Sequence, residues 1–420
     1  MRATALAALL LALPLAAQAQ TTSSDQHDHA SMATESPWHF MQDGVLFLNL
    51  NDQGGPRGGT ELAPQNWWMG MLERPAATGR LRFDLMLSLD PATLGNDGYR
   101  ELFQVGESLD HRPLVDRQHP HDFVMQAAVV WHVPLPRRFA LTLAGAPVGE
   151  PALGPVAFMH RASAFENPTA PLGHHNMDST HIAMGVLTAG LDRGKWQVEA
   201  SLFNGAEPDE QRWDVMDPGP LDSWSVRGWY RPTERWSFQL SHGFLSNPEE
   251  TDPGDLRRTT ASASWTARRS GGWTAFTAVW GRNNEPGRDF NAWLLEGTHA
   301  AGAAAFYGRV ERVDRETDVL RFGVHEFVGD SKAHVPKGVG GVDPVSAFTA
   351  GGTYTFARPR GWDFAAGADV TGYAFAPVLK PLYGNHPVSF HIFFRIRPPA
   401  PMGRMMDMTM TSLSGAMRDM

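Results

Sequence analysis

Alternation of apolar and polar residues with a period of two recurs along almost the whole chain. Between Leu81 and Leu89 every second residue is apolar, and Arg82, Asp84 and Ser88 lie between them. The same alternation returns in four further segments, at 196–202, 236–240, 362–370 and 390–396. Because successive side chains of a strand point to opposite faces, this pattern predicts strands with one apolar and one polar face. The sequence therefore predicts an all-β fold.

The connections between these segments fall into two length classes. Short turns such as 191–194, 231–234 and 358–361 alternate with long segments at 91–122, 147–178 and 314–344. Tryptophan follows several of the short turns, at Trp196, Trp236, Trp273 and Trp362. Short turns on one rim, long loops on the other and aromatic residues at the membrane interface are typical of a transmembrane β-barrel. We therefore predict one antiparallel transmembrane barrel with its long loops on one rim.

Counting the alternating segments up and down gives about 16 strands, an even number that suits bacterial barrels. They lie near 43–50, 65–73, 80–90, 122–133, 138–146, 179–190, 195–204, 222–231, 235–245, 257–267, 272–281, 291–298, 303–313, 345–357, 362–373 and 388–397. A further strand at 319–327 would spoil this parity, so we assign those residues to a long loop. The alternatives are a soluble β-sandwich and a propeller. A sandwich of this length would need several domains, and the sequence has neither a linker nor a blade-length repeat.

The two ends of the chain differ from the middle. Arg2, the apolar run up to Ala16 and the small residues at 17–19 predict a secretory signal peptide at 1–19. We assign a His/Met-containing periplasmic segment to 20–41, the barrel to 42–397 and a Met-rich tail to 398–420. The chain has no cysteine and no further long apolar run, so neither a disulfide nor a transmembrane helix is predicted. A net charge of −9 argues against a nucleic-acid partner.

With the signal peptide, the strand rhythm and the aromatic closing strand at 389–395, the chain resembles bacterial outer-membrane porin-like barrels. This resemblance implies a location in the bacterial outer membrane and contact with its lipid. Three short segments, His119-Pro-His-Asp122, Gly173-His-His and Asp178-Ser-Thr-His181, are similar to those of an uncharacterised outer-membrane family associated with copper and other metals. The second resemblance implies metal handling.

Histidine and aspartate concentrate in two of the long loops. The candidate metal ligands there are His119, His121, Asp122, His160, His174, His175, Asp178 and His181. Neutral imidazole with carboxylate suits zinc, copper, iron or nickel, and a carboxylate can also orient a ligating ring. Strand phase places Met184 and Val186 towards lipid and His181 towards the lumen. The alternative is a hydrogen-bonded polar plug that locks the loops to the barrel wall.

The two tails form a separate group of candidate ligands. His27 and His29 flank an aspartate near the N-terminus. Seven methionines lie between Met402 and Met420, among them Met405, Met406, Met408 and Met410. Thioethers select Cu(I), whereas His-Asp-His suits Cu(II), so we predict metal binding at both tails. The alternative is a low-complexity tail that docks on a partner.

These observations favour transition-metal binding, passage or tolerance at the outer membrane, with copper first and zinc as a second cofactor candidate. The partners would be a metal ion or small solute and a periplasmic metal carrier, and no enzymatic activity is predicted. The first alternative is a general porin, although the inward charges have mixed sign and could instead form internal salt bridges. The second is an outer-membrane hydrolase that uses Ser179 and His181, although no Gly-x-Ser-x-Gly motif is present.

Overall fold

A closed antiparallel β-barrel forms the body of the molecule. The structure is a computed structural model that describes residues 37–178, 183–251, 253–322 and 341–399. Its strands are β1 (His39–Gln53), β2 (Gly59–Ala63), β3 (Asn66–Ala76), β4 (Gly79–Leu87), β5 (Tyr99–Leu109), β6 (Arg112–Gln118), β7 (Val124–Leu135), β8 (Phe139–Gly149), β9 (Ala183–Arg193), β10 (Trp196–Asn204), β11 (Ser223–Thr233), β12 (Trp236–Leu245), β13 (Leu256–Arg269), β14 (Gly272–Glu285), β15 (Arg288–Ala301), β16 (Ala304–Glu316), β17 (Val342–Ala357), β18 (Asp363–Phe375) and β19 (Val388–Arg397). Every strand pairs antiparallel with its neighbours, and β1 pairs with β19 to close the sheet.

The barrel has 16 strand positions because β2 and β3 share one of them. Ala63 at the end of β2 pairs with Asn49, and Asn66 at the start of β3 pairs with Leu46, so both segments run along β1 in one register. Pro64, which has no backbone N–H to donate, stands at the break. The predicted fold class and strand number are confirmed.

The two faces of the barrel wall have opposite chemistry. Val198, Leu240 and Phe394 point outwards and are exposed, whereas their neighbours Gln197 and Ser241 are buried inside. An apolar outer face around a polar interior is the arrangement of a barrel that lipid surrounds. The chain is therefore an outer-membrane-type barrel, as the alternation predicted.

Alternate connections lie on opposite rims because neighbouring strands run antiparallel. The turns after β3, β9 and β13 are tight, whereas the connections after β4, β8 and β16 are long. The helices lie in long connections: α1 (Asp90–Thr93), α2 (His174–Met177), α3 (Thr317–Phe322) and α4 (Lys380–Tyr383). Because α3 is helical, the segment that begins at 319 adds no strand as far as 322, the last residue described there. No helix in the described ranges is long and apolar enough to cross a membrane.

Two strand-phase predictions were wrong. Met184 and Val186 are buried, and the lipid-facing residues of β9 are instead Leu187 and Leu191. The register between β9 and β10 shifts between Leu202 and Asn204. The extra residue on β9 at this point reverses which of its side chains face lipid, so the regular alternation predicts the wrong face there.

The aromatic girdle is present, with one exception. Trp196, Trp236 and Trp362 are exposed at the short-turn rim as predicted. Trp273, by contrast, is 5% exposed and lies inside the barrel, where its ring meets the edge of Phe165 at a centroid distance of 6.0 Å.

Candidate functional site

Residues 150–178, which we call the luminal loop, fold into the barrel after β8. Almost every one of them is buried. Backbone N–H groups at the start of the loop donate to the inner wall: Ala152 to Ser201 Oγ at 2.8 Å and Gly154 to Ser241 Oγ at 2.9 Å. Further on, Thr298 donates to the carbonyl of Ser163 at 2.7 Å. The loop therefore crosses the lumen and is attached to opposite parts of the wall.

Buried ion pairs strengthen this attachment. Arg161 of the luminal loop donates from Nε to Glu296 on β15 at 2.7 Å, and within the loop it pairs through Nη1 with Asp178. Arg309 on β16 donates to the carbonyl of Thr169 at 3.0 Å. Breaking a buried pair by removing one partner costs about 3–5 kcal/mol, so the loop is held firmly in place.

Two further contacts join the luminal loop to β19 and β16. Arg395 on β19 pairs with Glu166, and Glu311 on β16 accepts the backbone N–H of Leu172 at 2.6 Å. The inward charges of mixed sign thus form internal salt bridges, which was one of the two interpretations of the sequence. The plug interpretation of the luminal loop agrees with this geometry.

A hairpin of β5 and β6 lies on the luminal loop at the long-loop rim, and the sequence did not predict it. Tyr99 Oη accepts the backbone N–H of Ala170 at 3.2 Å. Phe103 stacks on Tyr383 with ring centroids 4.1 Å apart, and Leu172 and Leu320 belong to the same apolar cluster. The alternation is broken here because the β5–β6 register shifts twice.

Three of the predicted ligands come together where the hairpin meets the luminal loop. His119 follows β6, and His174 and His175 begin α2. Each of the three buried residues offers one ring nitrogen, and these nitrogens all lie within 4.8 Å of one another. The ring centroids of His174 and His175 are 4.0 Å apart, and that of His119 lies 5.8 and 5.3 Å from them. We call this group the histidine cluster.

Carboxylates and an amide surround the histidine cluster. Nδ1 of His119 lies 3.1 Å from Glu107 on β5, and Nδ1 of His175 lies 3.4 Å from Glu207. Nε2 of His174 lies 3.0 Å from Oε1 of Gln118. Such contacts fix the orientation and tautomer of an imidazole, which is the role of outer-shell partners at metal sites.

Arg212 closes this arrangement from the connection after β10. Its guanidinium pairs with Glu107 and donates from Nη1 to Asp122 at 3.0 Å. Burial acts to lower the pKa of Arg212, but these two carboxylates raise it above its ordinary value. Arg212 therefore remains a cation.

The other described candidates have different neighbours. His121 lies 2.7 Å from Asp90, Asp122 binds Arg212, and Asp178 pairs with Arg161. His160 packs edge-on against Trp67 at a centroid distance of 5.0 Å, and burial lowers its pKa to about 4. The structure does not bring these four residues into the histidine cluster.

The remaining predictions lie outside the described residues. They concern His181 and Ser179, His27 and His29, the methionines Met405, Met406, Met408 and Met410, the signal peptide and the Met-rich tail. Conversely, the sequence analysis missed Glu107, Glu207 and Arg212. No local pattern marks them, because each lies in a different connection or strand from the residue that it contacts.

Comparison with solved structures shows the same barrel fold. A loop-deletion mutant of OmpT, an outer membrane protein of Vibrio cholerae, aligns with a TM-score of 0.50 at 9% identity over 86% of this chain and 100% of that one. An anion-selective porin from Comamonas acidovorans aligns with a TM-score of 0.47 at 9% identity, over 86% and 100%. The outer membrane protein OprD from Pseudomonas aeruginosa gives a TM-score of 0.42 at 11% identity, over 86% and 93%.

The predicted resemblance to outer-membrane porin-like barrels is thus confirmed at the level of the fold. No protein-family model and no curated protein matches the sequence. The association with a copper-handling family therefore has no support from relatives.

Proposed function

We propose that this protein is an outer-membrane channel for small hydrophilic solutes whose passage the luminal loop narrows. The observation that carries the proposal is the luminal loop itself, which crosses a polar lumen and is fixed there by buried ion pairs such as Arg161–Glu296. A loop of this kind sets the width of the pathway, and the residues that line the remaining space select what passes.

Among the residues that the structure describes, a small space remains along the wall formed by β7, β8 and β9. A cavity of about 30 Å³ lies there, lined by Ala128, Ala144, Glu150 and Arg227 among others. A cavity of this size has room for about one or two water molecules. Ala128, Ala144 and Ala146 line much of this cavity, together with the charged side chains of Glu150 and Arg227. We infer that solutes pass on the β7–β9 side and that only small ones do so.

Conductance in planar bilayers tests the proposal. Ala128→Trp fills the cavity and should lower the single-channel conductance markedly. Ala127→Trp is the matched control, because Ala127 lies on the outer face beside Phe83 and Leu85 and its replacement should leave conductance unchanged. A wild-type protein that never conducts, or equal effects of the two variants, would contradict the proposal.

A second candidate function is transition-metal handling, with copper first, either as passage or as tolerance. The histidine cluster favours it, because three buried imidazoles from two loops suit copper or zinc. In this proposal a periplasmic metal carrier would receive the ion, and no catalysis would be involved. Copper tolerance of cells that produce the wild type or His174→Ala tests it, with equal tolerance counting against it. Loss of an ester-cleaving activity in Ser179→Ala would instead favour the hydrolase alternative.

A further inference from the structure

We propose that His119, His174 and His175 bind one divalent transition-metal ion and that the bound ion ties the β5–β6 hairpin to the luminal loop. The inference is independent of the channel proposal and deepens the metal-handling proposal, with which it shares these three histidines. It concerns a buried binding site between two segments that are more than 50 residues apart in sequence, as the His174–Gln118 contact shows with a separation of 56.

The backbone around His175 is positioned tightly. The carbonyl of His175 accepts a hydrogen bond from Asn283 on β14 at 3.5 Å. At Gly281, two residues before Asn283 on the same strand, an added Cβ would lie 2.1 Å from the carbonyl oxygen of Asn176. Only glycine allows α2 to approach β14 this closely. The wall therefore holds two of the three imidazoles in place.

The hairpin is fitted to the same ring from the other side. Gly106 on β5 has a φ of +152°, and a Cβ there would lie 2.2 Å from Nε2 of His175. A residue with a side chain would occupy the space beside that ring nitrogen. Gly106 thus lets the backbone of β5 pack closely against the ring of His175.

The three ring nitrogens lie close together, at spacings that can exceed those of the ligands of a bound ion. Bonds of 2.0–2.1 Å in a tetrahedral site place the ligand nitrogens about 3.4 Å apart. The three nitrogens lie within 4.8 Å of one another, so side-chain rotations that move each nitrogen by roughly 1 Å suffice to bring them to this spacing. Because Glu107 and Glu207 face Nδ1 of His119 and His175, the Nε2 lone pairs of these rings are the ones that can bind an ion.

The chemistry of the site selects the class of ion. Neutral imidazole suits Zn²⁺, Cu²⁺ or Ni²⁺, whereas Mg²⁺ and Ca²⁺ prefer oxygen ligands. The chain contains no cysteine that could compete for a soft ion. Glu107 and Glu207 supply negative charge near the three rings, which offsets the charge of a buried dication.

Metal titration of the folded full-length protein tests the inference. Calorimetry with Zn²⁺ and with Cu²⁺, and absorption of bound Co²⁺, should report one ion per chain in a His27→Ala/His29→Ala background. His174→Ala and His119→Ala should each abolish this stoichiometric binding. His242→Ala is the matched control, because His242 bonds Thr259 on the barrel wall and should not affect binding.

Two further measurements keep the inference falsifiable if a histidine variant folds poorly. Glu107→Gln retains all three imidazoles and should weaken binding by about 10- to 100-fold, as the loss of an outer-shell partner does. Bound Zn²⁺ should also protect the hairpin from proteolysis in the wild type but not in His174→Ala. Binding that persists unchanged in both histidine variants, binding of Mg²⁺ or Ca²⁺ alone, or no binding at all would overturn the proposal. None of these outcomes bears on conductance, so the channel proposal is tested separately.

Discussion

Replacement of Arg161 by methionine should weaken the attachment of the luminal loop to the barrel wall and make a wider passage more frequent. The Arg161 side chain is 1% exposed and donates to Glu296 at 2.7 Å and to the carbonyl of Val156 at 3.1 Å, besides its ion pair with Asp178. Methionine preserves most of the apolar stem but removes every one of these donors.

The free-energy cost of this substitution depends on the contacts that Glu296 keeps. Removing one partner of a buried ion pair costs about 3–5 kcal/mol. Glu296 keeps a second cation, because Nε of Arg309 lies 3.4 Å away, so the lower end of this range applies. A cost of about 3 kcal/mol changes the ratio of attached to detached loop by roughly 150-fold. A loop that is detached in about 1 of 10⁴ molecules would then be detached in about 1 of 70.

Single-channel recording in planar bilayers provides the assay. Arg161→Met should show frequent transitions to a larger conductance level that is rare in the wild type. Arg282→Met is the control, because the Arg282–Asp289 pair is exposed and such pairs contribute only about 0–1 kcal/mol. If Arg161→Met folds into a heat-modifiable barrel and conducts like the wild type, the luminal loop does not limit passage and the reasoning fails.

Three further predictions concern the lipid face, the inner wall and the loop tips. Leu240→Arg places a charge on the lipid face and should lower the free energy of unfolding in lipid vesicles by about 2–4 kcal/mol, whereas Ser241→Ala on the inner face should have a much smaller effect. Trp273→Ala should lower the free energy of unfolding by about 3–5 kcal/mol in the same assay, because the ring is buried against Phe165. Trp236→Ala at the exposed girdle should lower it less. Equal losses of stability in the two variants would contradict the inward placement of Trp273. The hydrogen bond between His111 and Glu250 joins the hairpin tip to the β12–β13 connection and raises the pKa of His111. This link is therefore complete below the ordinary histidine pKa of about 6.5. It is lost as the pH rises through the raised pKa. Glu250→Gln should return the pKa of His111 towards its ordinary value in an NMR titration, and an unchanged midpoint would show that Glu250 is not the cause.

Local periodicity in the sequence was sufficient to predict the barrel wall. Whether Val198 or Leu240 faces lipid depends only on the strand pleat, and the pleat repeats every two residues. The prediction failed where an extra residue interrupted the pleat, as at Met184, and where a residue on the inner face was large and apolar, as at Trp273. Both failures come from contacts that the local pattern does not encode.

The same local periodicity did not predict the contacts inside the barrel. The sequence grouped His119, His174 and His175 with other histidines, but only the structure separates them from His121 and His160. The luminal loop is irregular, so its position depends on which distant side chains meet its polar groups. Arg161 and Glu296, for example, are 135 residues apart. The sequence by itself determined a lipid-embedded barrel, because alternation is a local property of a strand. The tertiary structure decided which charges pair, which imidazoles converge and how the lumen is filled, because those contacts exist only once the sheet has closed around the loop.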